Sequence, residues 1–228
     1  MTTNLLADVD AVILDFDGVV IDSELISLGE LGVSLSQFGI NMDWPQLVAT
    51  FMGHSDAAIQ AFIEKESSRE TGDLFPEAWR QRVREGFAKE LNVVDGIRDL
   101  FARFDRDGIP HCLATGASLP RVAYALELIG ETERFAETGF SAEQVPNGKP
   151  APDLFLFATE KLGVSPARSM VIEDGIAGVQ GSKAAGIGHI IGFVGASHLN
   201  DESLRNAHAA NLSEAGATRI ITSFSELL

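Results

Sequence analysis

The sequence has one cysteine, few basic residues and no long hydrophobic run, and each shortage excludes a class of protein. Cys112 has no second cysteine for a disulfide, and its apolar neighbours predict a small buried side chain. Lysine and arginine number 17 against 33 aspartates and glutamates, so the formal net charge is -16. This charge disfavours nucleic acid and anionic membranes as partners. Because no apolar run approaches the roughly 20 residues of a membrane span and no signal-like segment is visible, we expect a cytoplasmic protein.

The sequence does contain the alternating pattern of an α/β protein. Hydrophobic residues make up 45% and charged residues 22% of the 228, as in ordinary globular proteins. Short apolar segments alternate with amphipathic helical segments, which predicts a Rossmann-like parallel sheet covered by helices on both faces. The predicted strands are Val9–Phe16, Pro110–Thr115, Ser169–Ile172, His189–Val194 and Thr218–Thr222.

Residues 22–92 interrupt this alternation, because they contain no convincing strand. Apolar residues recur there every three or four positions, as on the buried faces of helices. We therefore predict an α-helical domain at 22–92, inserted into an α/β core made of residues 1–21 and 93–228. The polar segment 67–72 is interpreted as a connection between two of the inserted helices.

Pairs of acidic residues follow two of the predicted strands. Asp15 and Asp17 lie at and after the end of the first strand, and Glu173 and Asp174 follow Ser169–Ile172. Ligands of parallel α/β sheets bind at the carboxyl ends of strands. Carboxylates at the end of an apolar strand are costly unless their charge is compensated, and a divalent cation would compensate it through hard oxygen ligands. Taken alone, each pair could also be a pair of solvated acids, which is the less favoured interpretation.

Two further segments could bind phosphate at the same edge of the sheet. Thr115 is followed by Gly116, Ala117 and Ser118, so a hydroxyl and backbone N–H groups meet at the start of a helix. In the alternative interpretation, Ser118 only caps that helix. Lys149 stands beside a proline just before another helix, although a lone lysine there is usually a solvated surface residue. All these segments follow predicted strands, so the fold would gather them on one edge.

Together these segments resemble the haloacid dehalogenase superfamily, in its branch of phosphatases and phosphomutases. The resemblance rests on DFDGVVIDSE at Asp15–Glu24, on Thr115, on KPAPD at Lys149–Asp153 and on EDGIAGVQGSKAAG at Glu173–Gly186. These motifs cover the whole chain in the order typical of the family. The helical insert stands where that branch carries its small cap, so the resemblance implies that the insert is a cap domain.

The resemblance implies a role for each matching residue. Asp15 would be the nucleophile and form an aspartyl-phosphate, while Asp17 would protonate the leaving oxygen and then deprotonate water. Mg²⁺ would be bound by the Asp15 carboxylate, the Asp17 carbonyl and Asp174, with Glu173 in or beside that shell. This dication and a lysine would offset the repulsion between a carboxylate and a phosphate. The implied phosphate ligands are Thr115, Gly116 and Lys149.

The resemblance also separates the possible reactions. Asp17 favours phosphoryl transfer, because family members that displace halide lack an acid there. Mutases of the branch carry a histidine four residues after the position of Ser23 and two cations around a cap loop, where this chain has Ser27, Met52 and Asp56. Because a mutase must bind a second phosphate, we expect a phosphatase acting on a small phosphorylated metabolite, such as a sugar phosphate. A β-phosphoglucomutase-like phosphomutase is the alternative.

The predicted substrate contacts in the cap are Gly53, His54 and Ser55. In this loop His54 would either face the substrate or lie exposed to solvent. The remaining histidines show no metal-ligand spacing and are interpreted as structural. A phosphate-accepting, receiver-like signalling domain is the non-enzyme alternative. Such domains share an aspartate at a strand end, but they are shorter, lack an acid at the position of Asp17 and have no cap.

Overall fold

The computed structural model describes residues 5–51, 56–66 and 69–228, and the chain divides into two units. The core unit consists of Met1–Asp22 and Val93–Leu228, and the insert consists of Ser23–Asn92. The first boundary predicted from the sequence lies one residue earlier, with Asp22 in the insert.

The described residues of the insert form helices and the connections between them. Its helices are α1 Glu24–Gln37, α2 Trp44–Phe51, α3 Asp56–Glu66 and α4 Arg69–Glu90. α1 packs against α4, and its buried leucines Leu28, Leu31 and Leu35 follow the spacing of one helix face. The interpretation of 67–72 as a connection is wrong from Arg69 onward, because α4 begins there. Polar residues suit the first turns of a helix as well as a loop, so composition did not separate the two.

Within its described residues, the core unit contains six parallel strands: β1 Ala11–Leu14, β2 His111–Thr115, β3 Gly139–Ser141, β4 Ser169–Glu173, β5 His189–Phe193 and β6 Arg219–Ile221. Their order across the sheet is β3-β2-β1-β4-β5-β6. Five of them correspond to predicted strands, so the prediction of a Rossmann-like parallel sheet is confirmed. β3 was not predicted, because its three residues begin with glycine and are too few to show a hydrophobic pattern.

The helices of the core unit are α5 Ile97–Asp107, α6 Leu119–Ile129, α7 Thr132–Phe135, α8 Asp153–Leu162, α9 Ile176–Ala184 and α10 Glu202–Ala215. Three of them, α8, α9 and α10, share a hydrophobic core with one side of the sheet. Phe155 of α8 and Val179 of α9 share that core with Ile13 of β1 and Val171 of β4. Cys112 is fully buried in the same core, and burial raises the pKa of its thiol, as expected for a structural cysteine. No helix among the described residues combines the length and apolar character needed to cross a bilayer.

The strand order places the carboxyl ends of β1, β2 and β4 side by side. β1 lies between the other two, and Leu14 pairs in register with Leu113 of β2 and with Ile172 of β4. The backbone N–H of Asp15 donates to the carbonyl oxygen of Ile172 at 2.9 Å, which continues this register by one residue. The residues that end these three strands therefore share one edge of the sheet.

Candidate active site

Three carboxylates meet where β1 and β4 end. Asp15 follows β1, Glu173 is the last residue of β4, and Asp174 comes next. One carboxylate oxygen of each residue lies within 4.8 Å of those of the other two. Asp15 is 8% exposed and Glu173 is 2% exposed. Carboxylates buried this close together require a positive charge or a bound proton.

Lys149 supplies part of that positive charge. Its Nζ donates to Asp15 Oδ1 at 2.5 Å and to Glu173 Oε2 at 3.2 Å, and its side chain is 11% exposed. Burial opposes the charge of Lys149, but the two carboxylates outweigh burial and raise the pKa of this lysine. Burial also raises the pKa of Asp15, and burial together with the nearby Asp15 raises the pKa of Glu173 to about 8. One lysine therefore leaves the cluster with an excess of negative charge.

The cluster fits a hard divalent cation. Carboxylate oxygens are the ligands that such cations take, and a double positive charge would balance the negative charge that Lys149 leaves. Two glycines leave room for the carboxylates. A Cβ at Gly178 would lie 1.6 Å from Glu173 Oε1, and a Cβ at Gly18 would lie 1.9 Å from Asp174 Oδ2. Any side chain at either glycine would therefore displace a carboxylate of the cluster.

The side chain of Asp17 makes a different contact. Its two carboxylate oxygens accept hydrogen bonds from Nη1 and Nη2 of Arg121, both at 2.7 Å. Arg121 is the third residue of α6, the helix that follows the Thr115 segment. No sequence motif indicated Arg121, because a single arginine on an amphipathic helix forms no motif. The sequence offered one signal for Arg121, its position in the first turn of a helix that begins at the candidate site.

The Thr115 segment lies at the end of β2, on the same edge. Thr115 is buried, and its Oγ1 accepts a hydrogen bond from the backbone N–H of Ala117 at 3.0 Å. Gly116 is exposed, and a Cβ there would meet no atom within 4 Å. Ser118 makes no side-chain hydrogen bond to the start of α6. The hydrogen bond on which the capping interpretation depends is therefore not observed.

One histidine reaches the backbone of the acidic cluster. His208 Nε2 lies 2.6 Å from the carbonyl oxygen of Asp174, so this nitrogen carries the proton and donates. His208 belongs to α10, far along the chain, and no local pattern indicated the contact. The predicted cap contacts Gly53, His54 and Ser55 lie outside the described residues.

Comparison with known proteins identifies the family. The family model for haloacid dehalogenase-like hydrolases matches residues 9–186, which is most of the chain. The chain belongs to this family. Membership favours a hydrolase over the receiver-like signalling domain and confirms the resemblance drawn from the motifs.

Relatives in the family include phosphatases of carbohydrates. Hexitol phosphatase A of Escherichia coli is 32% identical over 148 residues, which cover 64% of this chain and 67% of the relative. The phosphorylated carbohydrates phosphatase of Thermotoga maritima is 31% identical over 149 residues, 64% of either chain. The matched part thus spans about two thirds of the length of these relatives. A family hydrolase from Deinococcus radiodurans, solved with bound phosphate and sodium, has a TM-score of 0.76 at 28% identity and covers 97% of this chain and 94% of its own.

Proposed function

We propose that this protein is a Mg²⁺-dependent phosphatase that hydrolyses the monoester of a small phosphorylated metabolite, a sugar phosphate or a related compound. The observation that carries the proposal is the position of the Asp15 carboxylate, which contacts the Lys149 ammonium and lies within 4.8 Å of carboxylate oxygens of Glu173 and Asp174. The named activities of the hexitol and carbohydrate phosphatases support the class of substrate. The phosphate bound by the Deinococcus hydrolase supports a phosphate site on this fold.

In this proposal one aspartate attacks phosphorus and a second transfers protons. An oxygen of Asp15 bonds to phosphorus while the bond to the ester oxygen breaks, which leaves an aspartyl-phosphate. Asp17 gives a proton to the leaving oxygen, and then takes a proton from the water that attacks phosphorus and releases Asp15. Lys149 and Thr115 bind the phosphoryl oxygens, and Gly116 adds a backbone N–H beside them. Because Lys149 already contacts Asp15, its charge lies where attacking carboxylate and phosphate would otherwise repel each other.

The carboxylate cluster is the proposed metal site. Its ligands would be the Asp15 carboxylate, the Asp17 carbonyl and Asp174, with Glu173 in or beside the shell. When bound, Mg²⁺ supplies positive charge that offsets the repulsion between the Asp15 carboxylate and the phosphoryl group. The carboxylate of Asp17 accepts both hydrogen bonds from Arg121, which is compatible with a metal-binding role for its carbonyl alone.

Hydrolysis is proposed over phosphomutase activity because Ser27 stands where mutases of the branch carry histidine. The assignment of residues 22–92 as a cap, with Gly53, His54 and Ser55 as its substrate contacts, stays a prediction from the sequence.

The test is a screen of phosphate release from p-nitrophenyl phosphate, hexitol phosphates and hexose phosphates. We expect release that requires Mg²⁺ and stops with EDTA, with the highest kcat/KM on a carbohydrate or polyol phosphate. Absence of release from every phosphomonoester would contradict the proposal. A second assay supplies a hexose 1-phosphate with a bisphosphate activator. Appearance of the 6-phosphate faster than free phosphate would establish the mutase alternative instead.

Gly178→Ala is expected to weaken Mg²⁺ binding by about 10- to 100-fold, the usual cost of disturbing groups around a metal site. The new Cβ would overlap Glu173 Oε1, so the Glu173 carboxylate would have to leave its present position in the cluster. Titration of the thermal unfolding temperature with Mg²⁺ measures the change. Gly29→Ala in α1 is the matched control, because a Cβ there meets no atom within 4 Å and should leave Mg²⁺ binding intact. Equal Mg²⁺ affinity in the two variants would show that Glu173 does not contribute to the site.

A further inference from the structure

The contact between Arg121 and Asp17 has a geometry that restrains the carboxylate. Both oxygens of Asp17 are held by two nitrogens of one planar guanidinium, at 2.7 Å each. A bidentate contact of this kind defines both the position and the plane of a carboxylate, which a single ammonium would not do. The side chains are 23% exposed for Arg121 and 20% for Asp17, so the surrounding protein screens the pair partly from water.

Both partners are attached to well-defined backbone. Arg121 stands in the first turn of α6, whose buried Val122 and Leu126 anchor the helix in the core unit. Asp17 lies in the tight loop after β1, which is closed by a hydrogen bond from the N–H of Gly18 to the carbonyl of Ile21 at 2.8 Å. α6 also begins directly after the Thr115 segment. One helix therefore links the proposed phosphate-binding segment to the proposed acid.

We infer that Arg121 is a positioning residue for Asp17. It holds the carboxylate in the orientation from which one oxygen can turn to the leaving oxygen of the substrate, while the other oxygen keeps its hydrogen bond to the guanidinium. The inference rests on the proposed function, because it assigns Arg121 to the proton-transfer step of that reaction. In the step that forms the phosphoenzyme, Arg121 then matters only where the leaving oxygen needs a proton.

The experiment compares leaving groups in wild type and Arg121→Ala. For a polyol phosphate, whose leaving oxygen is strongly basic, we expect kcat/KM to fall about 100-fold, since a small displacement of a catalytic group can cost that much. For p-nitrophenyl phosphate, whose phenolate leaves without a proton, kcat/KM should fall less than about threefold. The parameter kcat/KM is chosen because it reports the steps through formation of the phosphoenzyme. Equal losses on both substrates would overturn the inference, since they would indicate phosphate binding or structural support instead.

A double-mutant cycle tests whether Arg121 acts through Asp17. In an Asp17→Asn background the further change Arg121→Ala should have little effect on the polyol phosphate, because the group that it positions has gone. Arg121→Lys, which offers one ammonium in place of the two-pronged guanidinium, should fall between wild type and Arg121→Ala. Full additivity of the two substitutions would overturn the inference.

The matched control is Arg168→Ala. Arg168 makes the same type of bidentate contact, with two nitrogens at 2.7 Å from the oxygens of Asp10, at the opposite end of the sheet. We expect it to leave both kcat/KM values unchanged. Thermal unfolding of every variant identifies any that fails to fold, and Arg121→Lys then replaces Arg121→Ala in the comparison of leaving groups. If the wild type has no phosphatase activity, the proposed function is contradicted. If the wild type is active and the Arg121 variants have the same kcat/KM values, only this inference is contradicted.

Discussion

Asp15→Asn is expected to lower kcat for phosphate release by about 10⁴-fold or more, the scale seen when a catalytic nucleophile is removed. The amide has nearly the same shape as the carboxylate, but it neither attacks phosphorus nor binds a cation strongly. The same substitution should not lower the stability of the metal-free protein. Burial raises the pKa of Asp15, so its charged form opposes folding at neutral pH, and a neutral side chain removes that cost.

Phosphate release with Mg²⁺ and thermal unfolding in EDTA measure the two effects. Asp10→Asn is the matched control, since Asp10 precedes the same strand at its other end and pairs with Arg168. This control should keep full activity. An Asp15→Asn variant with more than a few per cent of wild-type activity would show that another group attacks phosphorus. An unfolding temperature well below that of wild type would contradict the charge argument.

Lys149→Met should damage both activity and stability. Methionine is about as long as lysine but uncharged, so Asp15 and Glu173 would lose the ammonium that lies 2.5 and 3.2 Å from their oxygens. Removal of one partner from a buried ion pair costs about 3–5 kcal/mol, and we expect a loss of that size in the free energy of unfolding without metal. We also expect kcat to fall about 10²- to 10³-fold, as for loss of one group that stabilises transition-state charge.

A divalent cation should restore part of that stability, because it can take over the compensation of the carboxylates. The unfolding temperature of Lys149→Met should therefore rise more with added Mg²⁺ than that of wild type. Lys161→Met is the matched control, because each lysine lies over a phenylalanine ring but Lys161 is exposed. The distance from Nζ to the ring centroid is 5.2 Å for Lys161 and Phe157, and 5.5 Å for Lys149 and Phe155. An unchanged unfolding temperature for metal-free Lys149→Met would show that the ion pair does not balance the cluster.

Hydrophobic periodicity was sufficient for most of the fold. The apolar strands and the amphipathic helices between them carry their pattern within a few adjacent residues, so β1, β2 and β4 to β6 were predictable. Short elements were not. β3 has three residues, and the start of α4 at Arg69 lies in a polar segment that would suit a loop equally well.

The candidate site was predictable where its functional residues lie close together in the sequence. Asp15 with Asp17, and Glu173 with Asp174, each follow a strand directly, so strand prediction alone placed them at one edge. Arg121 was missed because its partner is 104 residues away in sequence. His208 was placed only as structural, because its contact with Asp174 spans 34 residues.

By itself, the sequence determined which functional groups this protein contains, the order in which they occur and the family to which it belongs. Only the tertiary structure decided which groups meet. Lys149 stands 134 residues from Asp15 and reaches it because the sheet places β1 next to β4 and brings the loop before α8 to their carboxyl ends. The balance of charge at the site depends on such long-range distances, since Coulomb energy changes within a few ångströms, whereas the pattern that forms a strand or helix is local.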